Sequence, residues 1–201
     1  MFSPLTKQLI DALCKLPGVG PKSAQRLACQ LLAEKGKEKA LSLSIALDQA
    51  AKSVGFCKKC RHFTEHPLCS LCANPKRDHH LLCVVENPAD VMALEQTHAF
   101  NGFYFVLHGH LSPIDGITPH DLGIPFLLSR LKDESIREVI LATNPTVEGR
   151  ATAQYLAMQI DQNKIICTRI AHGVPMGGEL EYLDGSTLSH AFYSRLPINQ
   201  L

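Results

Sequence analysis

The stretch Cys57-Lys-Lys-Cys60-Arg-His-Phe-Thr-Glu-His-Pro-Leu-Cys69-Ser-Leu-Cys72 contains two C-x-x-C pairs separated by eight residues. Each pair places two thiolates on one side of a metal ion, and the second pair completes a tetrahedron with Zn–S bonds of about 2.3 Å. Doubled C-x-x-C spacing is typical of a zinc site, and a pair of disulfides is the alternative. We therefore predict one structural zinc ion, held by Cys57, Cys60, Cys69 and Cys72.

Upstream of the cysteines, the sequence predicts helices on both sides of a Pro-Gly-Val-Gly-Pro turn. Ser3-Pro4 is typical of an N-cap followed by proline at the first helical position, and apolar residues then recur at helical spacing. The segment Pro17 to Pro21 ends this first helix and supplies two glycines that tolerate positive φ. A second helix is expected from Lys22 to about Lys35 and a third from about Glu38 to Val54.

Leu-Pro-Gly-Val-Gly between two amphipathic helices resembles a helix-hairpin-helix motif, in which backbone amides and a helix N-terminus contact a DNA phosphate. Bare glycines let the backbone approach the phosphate, and the helix dipole adds to the charges of Lys22 and Arg26. We predict sequence-independent DNA binding by Gly18, Gly20, Lys22 and Arg26. A plain packing corner between two helices is the alternative. No ATP site is expected, because the glycines lack the four-residue gap of a P-loop.

The distribution of charge favours a polyanionic partner for the first part of the chain. Residues 1–80 carry 13 basic and 6 acidic side chains, a formal charge of +7, whereas residues 81–201 carry 7 basic and 13 acidic ones, a formal charge of −6. Four thiolates around Zn²⁺ remove about two positive charges and leave the first part basic. An ordinary solvated lysine surface is the alternative.

Composition and hydropathy indicate a folded protein outside the membrane. The 201 residues, 45% of them hydrophobic, are sufficient for one large domain or two small ones. No run of about 18 apolar residues occurs, and the N-terminus lacks the apolar segment of a signal peptide. A cytoplasmic location is therefore expected.

From Leu81 onward, strand-like segments alternate with helical ones. Four apolar or β-branched runs are predicted as strands: Leu81–Val85, Phe103–Leu107, Val139–Ala142 and Lys164–Ile170. Helical periodicity occurs between these runs, at about residues 88–97, 124–131 and 151–160. This alternation predicts an α/β fold with a buried, mainly parallel sheet. Glu86 and Glu148 fall near the carboxyl ends of strands, where functional groups gather in such sheets.

Four segments of this region resemble the Toprim domain of the RecR family of bacterial recombination mediators: Val85-Glu-Asn-Pro-Ala-Asp90, Leu111-Ser-Pro-Ile-Asp-Gly116, Ala142-Thr-Asn-Pro-Thr-Val-Glu-Gly149 and Gly177-Gly-Glu-Leu-Glu-Tyr182. The hairpin motif and the four cysteines precede them in the family's order, so the resemblance covers nearly the whole chain. The expected parts are a helix-hairpin-helix domain (1–54), a four-cysteine zinc finger (55–76), a Toprim domain (81–176) and a C-terminal segment (177–201) that could serve as a subunit-exchange arm.

The resemblance implies a DNA-binding protein of recombinational repair without catalytic activity. Subunits of this family assemble into a ring, usually a tetramer, which acts with the RecO and RecF proteins to help RecA load at gaps. Nothing in the composition indicates these partners. A purely structural zinc adaptor that binds protein but not DNA is one alternative, and a magnesium-dependent nuclease or primase-like enzyme is the other.

The acidic residues argue against the enzyme. Catalytic Toprim domains hold Mg²⁺ with a glutamate after the first strand and a D-x-D pair after a later one. Neutral residues replace both aspartates here, and Arg150 stands where relatives commonly carry an acid. Glu86 and Glu148 are therefore expected to orient loops or contact a partner.

Four histidines are interpreted as exposed residues without a metal. His62 and His66 lie between the cysteine pairs, where four thiolates already complete a site; replacement of a cysteine by either one is the alternative. His108 and His110 lie where relatives often carry glycines. Two histidines at this spacing could bind a metal, but no third ligand is apparent nearby.

Overall fold

The computed structural model describes residues 2–133, 135–160, 164–171 and 173–195. The chain forms two compact units, Met1–Val54 and Gly55–Leu201. We refer to them as the helical unit and the sheet unit. Among the described residues, no helix combines the length and hydrophobicity that a membrane span requires.

The helical unit consists of α1 (Pro4–Leu13), α2 (Pro21–Leu32) and α3 (Lys37–Ser53). The Ser3 side chain caps α1 by accepting a hydrogen bond from the Thr6 N–H at 3.3 Å, and Pro4 occupies the first turn, as the sequence predicts. Helix α2 ends at Leu32, about three residues before the predicted end. A short turn of residues 33–36 then leads into α3.

The core of the helical unit is small. Ile10, Ala24 and Ala28 are its buried residues, and four partly buried side chains of α1 and the first turn pack around them. Helix α3 buries none of its residues. Its apolar side chains are 47–67% exposed, namely Leu41, Leu43, Ile45 and Leu47. The unit therefore has little apolar burial of its own and a long apolar surface on α3.

The sheet unit contains four parallel strands in the order β4-β3-β5-β6. Their bounds are Asp78–Val85 (β3), Gly102–Val106 (β4), Glu138–Ala142 (β5) and Ile166–Arg169 (β6). Side chains of β3 alternate between the two faces, with Leu82 and Val84 in one apolar cluster and Cys83 and Val85 in the other. The predicted parallel α/β fold is confirmed.

Strand β3 begins at Asp78, three residues before the predicted start at Leu81. Asp78 pairs with Gly102, and the register shifts between Asp78 and Leu82. A side chain at Gly102 would collide with Leu81 and Phe100, since an added Cβ would lie 2.6 Å and 2.5 Å from atoms of these residues. The strand thus includes exposed polar residues that lack a strand pattern, and it pairs there with Gly102.

Helices α5 (Pro88–Gln96), α6 (Ile124–Asp133) and α7 (Val147–Gln159) alternate with the strands. Helix α7 begins four residues before the predicted start at Ala151, because the Thr146 hydroxyl caps it by accepting from the Gly149 N–H at 3.0 Å. A short 3₁₀ turn (Leu180–Tyr182) and α8 (Gly185–Tyr193) follow the sheet. The end of the predicted exchange arm, residues 196–201, lies outside the described residues.

The four cysteines belong to the sheet unit. Strands β1 (Gly55–Phe56) and β2 (Phe63–Thr64) form a two-stranded antiparallel sheet, and the short helix α4 (Ser70–Ala73) follows it. Cys57 and Cys60 lie between the two strands, Cys69 is the N-cap of α4, and Cys72 lies within α4. We refer to the segment Cys57–Cys72 as the cysteine clip. Its sulfur-bearing side chains share one apolar cluster with residues of the parallel sheet. The Val106 N–H also donates to the Cys60 carbonyl at 2.9 Å, so the clip is fastened to the end of β4.

Candidate metal centre and nucleic-acid interface

The four clip cysteines converge on one point. All are buried, and their sulfur atoms lie within 4.8 Å of one another. The Sγ atoms of Cys60 and Cys69 are 3.5 Å apart, close to the sulfur separation of about 3.8 Å that tetrahedral Zn–S bonds require. No other group of three or more potential ligands occurs within the described ranges. The donor set and its spacing therefore fit one tetrahedral zinc ion.

Backbone geometry orients these sulfurs. The Cys57 N–H donates to the His62 carbonyl at 2.8 Å, and the Arg61 N–H donates back to the Cys57 carbonyl at 3.0 Å. Arg61 adopts a left-handed conformation with φ of 63°, which turns the chain sharply after Cys60. The Cys69 N–H then donates to the Cys57 sulfur at 3.3 Å. Such N–H groups stabilise thiolate charge.

The burial and closeness of the four sulfurs favour a cation at the centre of the clip. A hydrogen bond with Cys69, together with burial, raises the pKa of Cys60 to about 12. Hydrogen bonds with Cys60 and Cys69, together with burial, also raise the pKa of Cys72. Buried thiols so close together cannot all ionise without a compensating positive charge, and Zn²⁺ supplies that charge.

Arg61 is a key residue that the sequence prediction missed. Its guanidinium donates to the carbonyl oxygens of Leu122 and, at 3.4 Å, Leu107. It also lies 5.8 Å from the centre of the Phe105 ring. Gly123 leaves room for this group with a φ of 68°, since a Cβ there would overlap the guanidinium. Burial lowers the pKa of Arg61. The residues that Arg61 contacts are distant in sequence, so the C-x-x-C spacing does not predict these contacts.

The histidine interpretations need correction. His108 is half-buried rather than exposed: its Nε2 lies 2.6 Å from the Arg61 carbonyl, and its ring centre is 4.9 Å from that of Phe56. Burial lowers the pKa of His108. His62 is also only half exposed, whereas His66 is exposed as expected. His110 is half-buried, with its Nδ1 3.5 Å from a carboxylate oxygen of Glu86.

The hairpin between α1 and α2 has an open backbone. Gly18 has a φ of 79°, a conformation that side chains of L-residues rarely adopt. An added Cβ at Gly18 or Gly20 would have no atom within 4 Å, so nothing covers this part of the turn within the helical unit. Gly20 is the N-cap of α2, and no side chain accepts a hydrogen bond there. The positive end of the α2 dipole is therefore accessible.

Lys22 and Arg26 lie on the first two turns of α2, next to this open hairpin. Both side chains are exposed, while Ala24 and Ala28 form the buried face of the same helix. Residues four apart are neighbours on a helix surface. The four residues predicted to bind DNA thus lie together on one accessible part of the helical unit, with two positive charges beside a helix N-terminus.

Glu86 follows β3 directly and is buried, with 2% of its surface exposed. Its carboxylate accepts hydrogen bonds from the Asn144 backbone N–H at 2.8 Å and from the Asn144 side-chain amide at 2.7 Å. Gly149 packs against it, since a Cβ there would lie 2.6 Å from the carboxylate. Glu148 lies in the first turn of α7 and is exposed.

The sequence matches four family models that follow one another along the chain. They are the RecR helix-hairpin-helix (residues 6–51), the RecR four-cysteine zinc finger domain (54–74), the Toprim domain (80–171) and the RecR C-terminal region (173–195). The zinc-finger match and the sulfur geometry together confirm the prediction of one structural zinc ion.

Three bacterial proteins named Recombination protein RecR are similar to the chain over nearly its whole length. The protein of Coxiella burnetii is 66% identical over 198 residues, that of Stutzerimonas stutzeri 57% over 198 residues, and that of Pseudomonas putida 55% over 199 residues. Each match covers 98% of both chains. The chain belongs to the RecR family of recombination proteins.

Proposed function

We propose that this protein is a non-catalytic DNA-binding mediator of recombinational repair. It forms a ring-like clamp, a homotetramer by family resemblance, and acts with RecO and RecF to help RecA load at gaps in DNA. The observation that carries the proposal is the open glycine hairpin with Lys22 and Arg26 beside it. The three similar proteins are named as recombination proteins, which supports the same role here.

DNA binding follows from the chemistry of the hairpin. A phosphate approaching Gly18 and Gly20 meets bare backbone, the N-terminus of α2 and two exposed cations. These groups contact the sugar–phosphate chain and leave the bases unread, so affinity varies little with sequence. Neutralisation of phosphates by Lys22 and Arg26 makes the affinity fall steeply as salt rises.

The state of Glu86 supports the absence of catalysis. Catalytic magnesium needs several free carboxylate oxygens. Both oxygens of Glu86 instead accept hydrogen bonds from Asn144, and Asn144 and Thr146 stand where an enzyme carries aspartates. We propose that Glu86 holds the loop between β5 and α7 in place, and that Glu148 is available to a partner protein.

Exposed apolar surfaces support self-association. The apolar side chains of α3 have no cover within the helical unit. The C-terminal part of the sheet unit also exposes large apolar residues, namely Met176, Leu180, Tyr182, Phe192 and Tyr193. Exposed apolar surface of this extent is typical of protein interfaces. We propose the same four domain limits as the sequence suggests, with residues 177–201 contributing to contacts between subunits.

The proposal is tested by sizing the purified protein with and without gapped DNA at two salt concentrations. Light scattering coupled to gel filtration should give one discrete oligomer at both salts. A larger DNA-bound species should be present at low salt and reduced at high salt. A monomer that gives no DNA-bound species at low salt would contradict the proposal and favour the zinc adaptor.

The enzyme alternative is tested with labelled DNA and Mg²⁺. We expect neither cleavage nor primer synthesis. Magnesium-dependent turnover that is abolished in Glu86→Gln, with the variant still folded by circular dichroism, would contradict the mediator. Asp115→Asn serves as the matched control. It also removes an acidic charge from the sheet unit, but Asp115 does not directly follow the carboxyl end of β3 or of β5.

A further inference from the structure

A cleft in the sheet unit contains two arginines, Arg150 and Arg169, to which the function proposed above gives no role. It has a volume of about 550 Å³ and lies where the N-terminal ends of α7 and α8 meet the end of β6. Arg150 from α7, Arg169 from β6 and His190 from α8 line it. This volume is within the range of about 300–1,000 Å³ that small-molecule sites occupy.

Among the described residues, no acidic side chain pairs with either arginine of the cleft. Arg150 is exposed, and its Nη1 donates to the His190 Nε2 at 3.1 Å. The Nε and Nη2 atoms of Arg169 are buried and make no hydrogen bond. Within the part of the chain that the structure describes, neither guanidinium has a carboxylate oxygen within 4.0 Å. A buried donor without an acceptor is costly, so an acceptor that reached Arg169 would be favoured.

Two acidic residues near the cleft residues in sequence, Asp184 and Glu148, do not pair with either arginine. The Asp184 carboxylate caps α8 by accepting from the backbone N–H groups and the hydroxyls of Ser186 and Thr187. Those two hydroxyls line the cleft but are already engaged. Glu148 is exposed in the first turn of α7. The groups that remain for a ligand are therefore the two guanidiniums and the imidazole.

We infer that this cleft binds a phosphate group through Arg150, Arg169 and His190. Guanidinium donors are arranged as a planar fork that matches phosphate oxygens, and two guanidiniums can contact the oxygens of one phosphate group. The phosphate belongs either to the backbone of DNA or to a free phosphate or mononucleotide, and both sources offer the same chemistry. Binding here does not require the glycine hairpin, so the inference is tested separately from DNA binding by that hairpin, and it uses α8 of the segment proposed for subunit contacts.

The test uses the full chain carrying Lys22→Ala/Arg26→Ala, so that the hairpin contributes little. Inorganic phosphate, deoxyadenosine monophosphate and a short oligothymidine are titrated separately at constant ionic strength. Binding is followed by calorimetry and by the side-chain Nε–H signal of Arg169 in nitrogen-15 NMR spectra. Arg150→Gln removes one guanidinium at an exposed position that should not affect folding. Lys132→Gln removes one exposed charge elsewhere in the same unit as the matched control.

At least one probe should bind saturably, shift the Arg169 signal and lose about tenfold in affinity in Arg150→Gln, with Lys132→Gln unchanged. Tighter binding of the oligonucleotide than of the mononucleotide assigns the site to DNA. Binding of phosphate or the mononucleotide alone assigns it to a free ligand. The inference is overturned if no probe binds saturably or if both variants respond equally.

Discussion

The helical unit and the sheet unit use their polar groups in opposite ways. In the helical unit, the groups proposed to function are exposed, and the core is formed by Ile10 and two alanines. In the sheet unit, Glu86 and Arg130 are instead buried, and the side chain of each is hydrogen-bonded to the backbone. Substitution of an exposed group should change binding and leave folding intact, whereas substitution of a buried one should change stability first.

The largest effect is expected from loss of zinc in the sheet unit. Cys60→Ser removes one zinc ligand and weakens zinc binding. The negative charge of the three remaining thiolates is then no longer fully balanced by Zn²⁺. Binding of a structural zinc ion contributes on the order of 10 kcal/mol to small zinc domains, so the variant should lose most of the stability of this unit. Calorimetric unfolding and metal analysis by atomic absorption measure the effect. Cys29→Ser is the control, because Cys29 is exposed and lies in the helical unit. Unchanged unfolding after verified zinc loss would refute the structural role.

A smaller loss is expected from Arg77→Ala. The Arg77 guanidinium is almost fully buried and donates to both carboxylate oxygens of Glu95, at 2.9 Å and 2.6 Å, and to the Gly102 carbonyl at 2.7 Å. Removal of one partner of a buried pair costs about 3 kcal/mol. Urea denaturation measures the free energy of unfolding, and Lys132→Ala should change it by no more than about 0.5 kcal/mol. Equal effects of the two substitutions would contradict this assignment.

The same pair predicts a dependence on pH. A hydrogen bond from Arg77 holds the pKa of Glu95 below its ordinary value of 4.5. Because the folded pKa is the lower one, ionised Glu95 stabilises the fold above the ordinary value, and this contribution is lost as the pH falls through the folded pKa. The stability difference between the parent and Glu95→Gln should therefore shrink on acidification from pH 7. Each pair of measurements is made at a pH at which metal analysis shows zinc bound to both proteins. A constant difference would contradict the shift.

The smallest change in stability is expected in the hairpin. Gly18→Ala places a side chain at a φ of 79° and should cost about 1 kcal/mol. Gly20→Ala is the matched control, because Gly20 has a φ of −78° and open space around it. We expect both variants to bind DNA more weakly, since a methyl group separates the backbone from phosphate. Thermal unfolding measures the change in stability, and fluorescence anisotropy measures the change in DNA affinity. Full DNA affinity in both variants would contradict the contact between backbone and phosphate.

Much of the fold follows from local sequence signals. The four parallel strands, the Ser3 cap and the cysteine clip each rest on residues that are close in sequence. Three other features depend on single residues elsewhere. Strand β3 starts at Asp78, which pairs with Gly102, and α7 starts early because Thr146 caps it. The Arg61 guanidinium has room because residue 123 is a glycine. Close packing against a distant glycine leaves no periodic pattern, and the cap at Thr146 precedes the apolar repeat from which α7 was predicted. The exposure of Leu41, Leu43, Ile45 and Leu47 on α3 was also beyond prediction, since helical spacing does not reveal what covers a side chain.

The most direct test of the account is the salt dependence of DNA affinity in Lys22→Ala/Arg26→Ala. Lys35→Ala/Lys39→Ala removes the same charge from exposed positions away from the hairpin and serves as the control. If the hairpin holds the phosphates, the first variant should lose on the order of tenfold in affinity, and its slope of log affinity against log salt should fall by about two. The control should keep the parental slope. Equal slopes in all three proteins would contradict the claim that the exposed hairpin binds DNA.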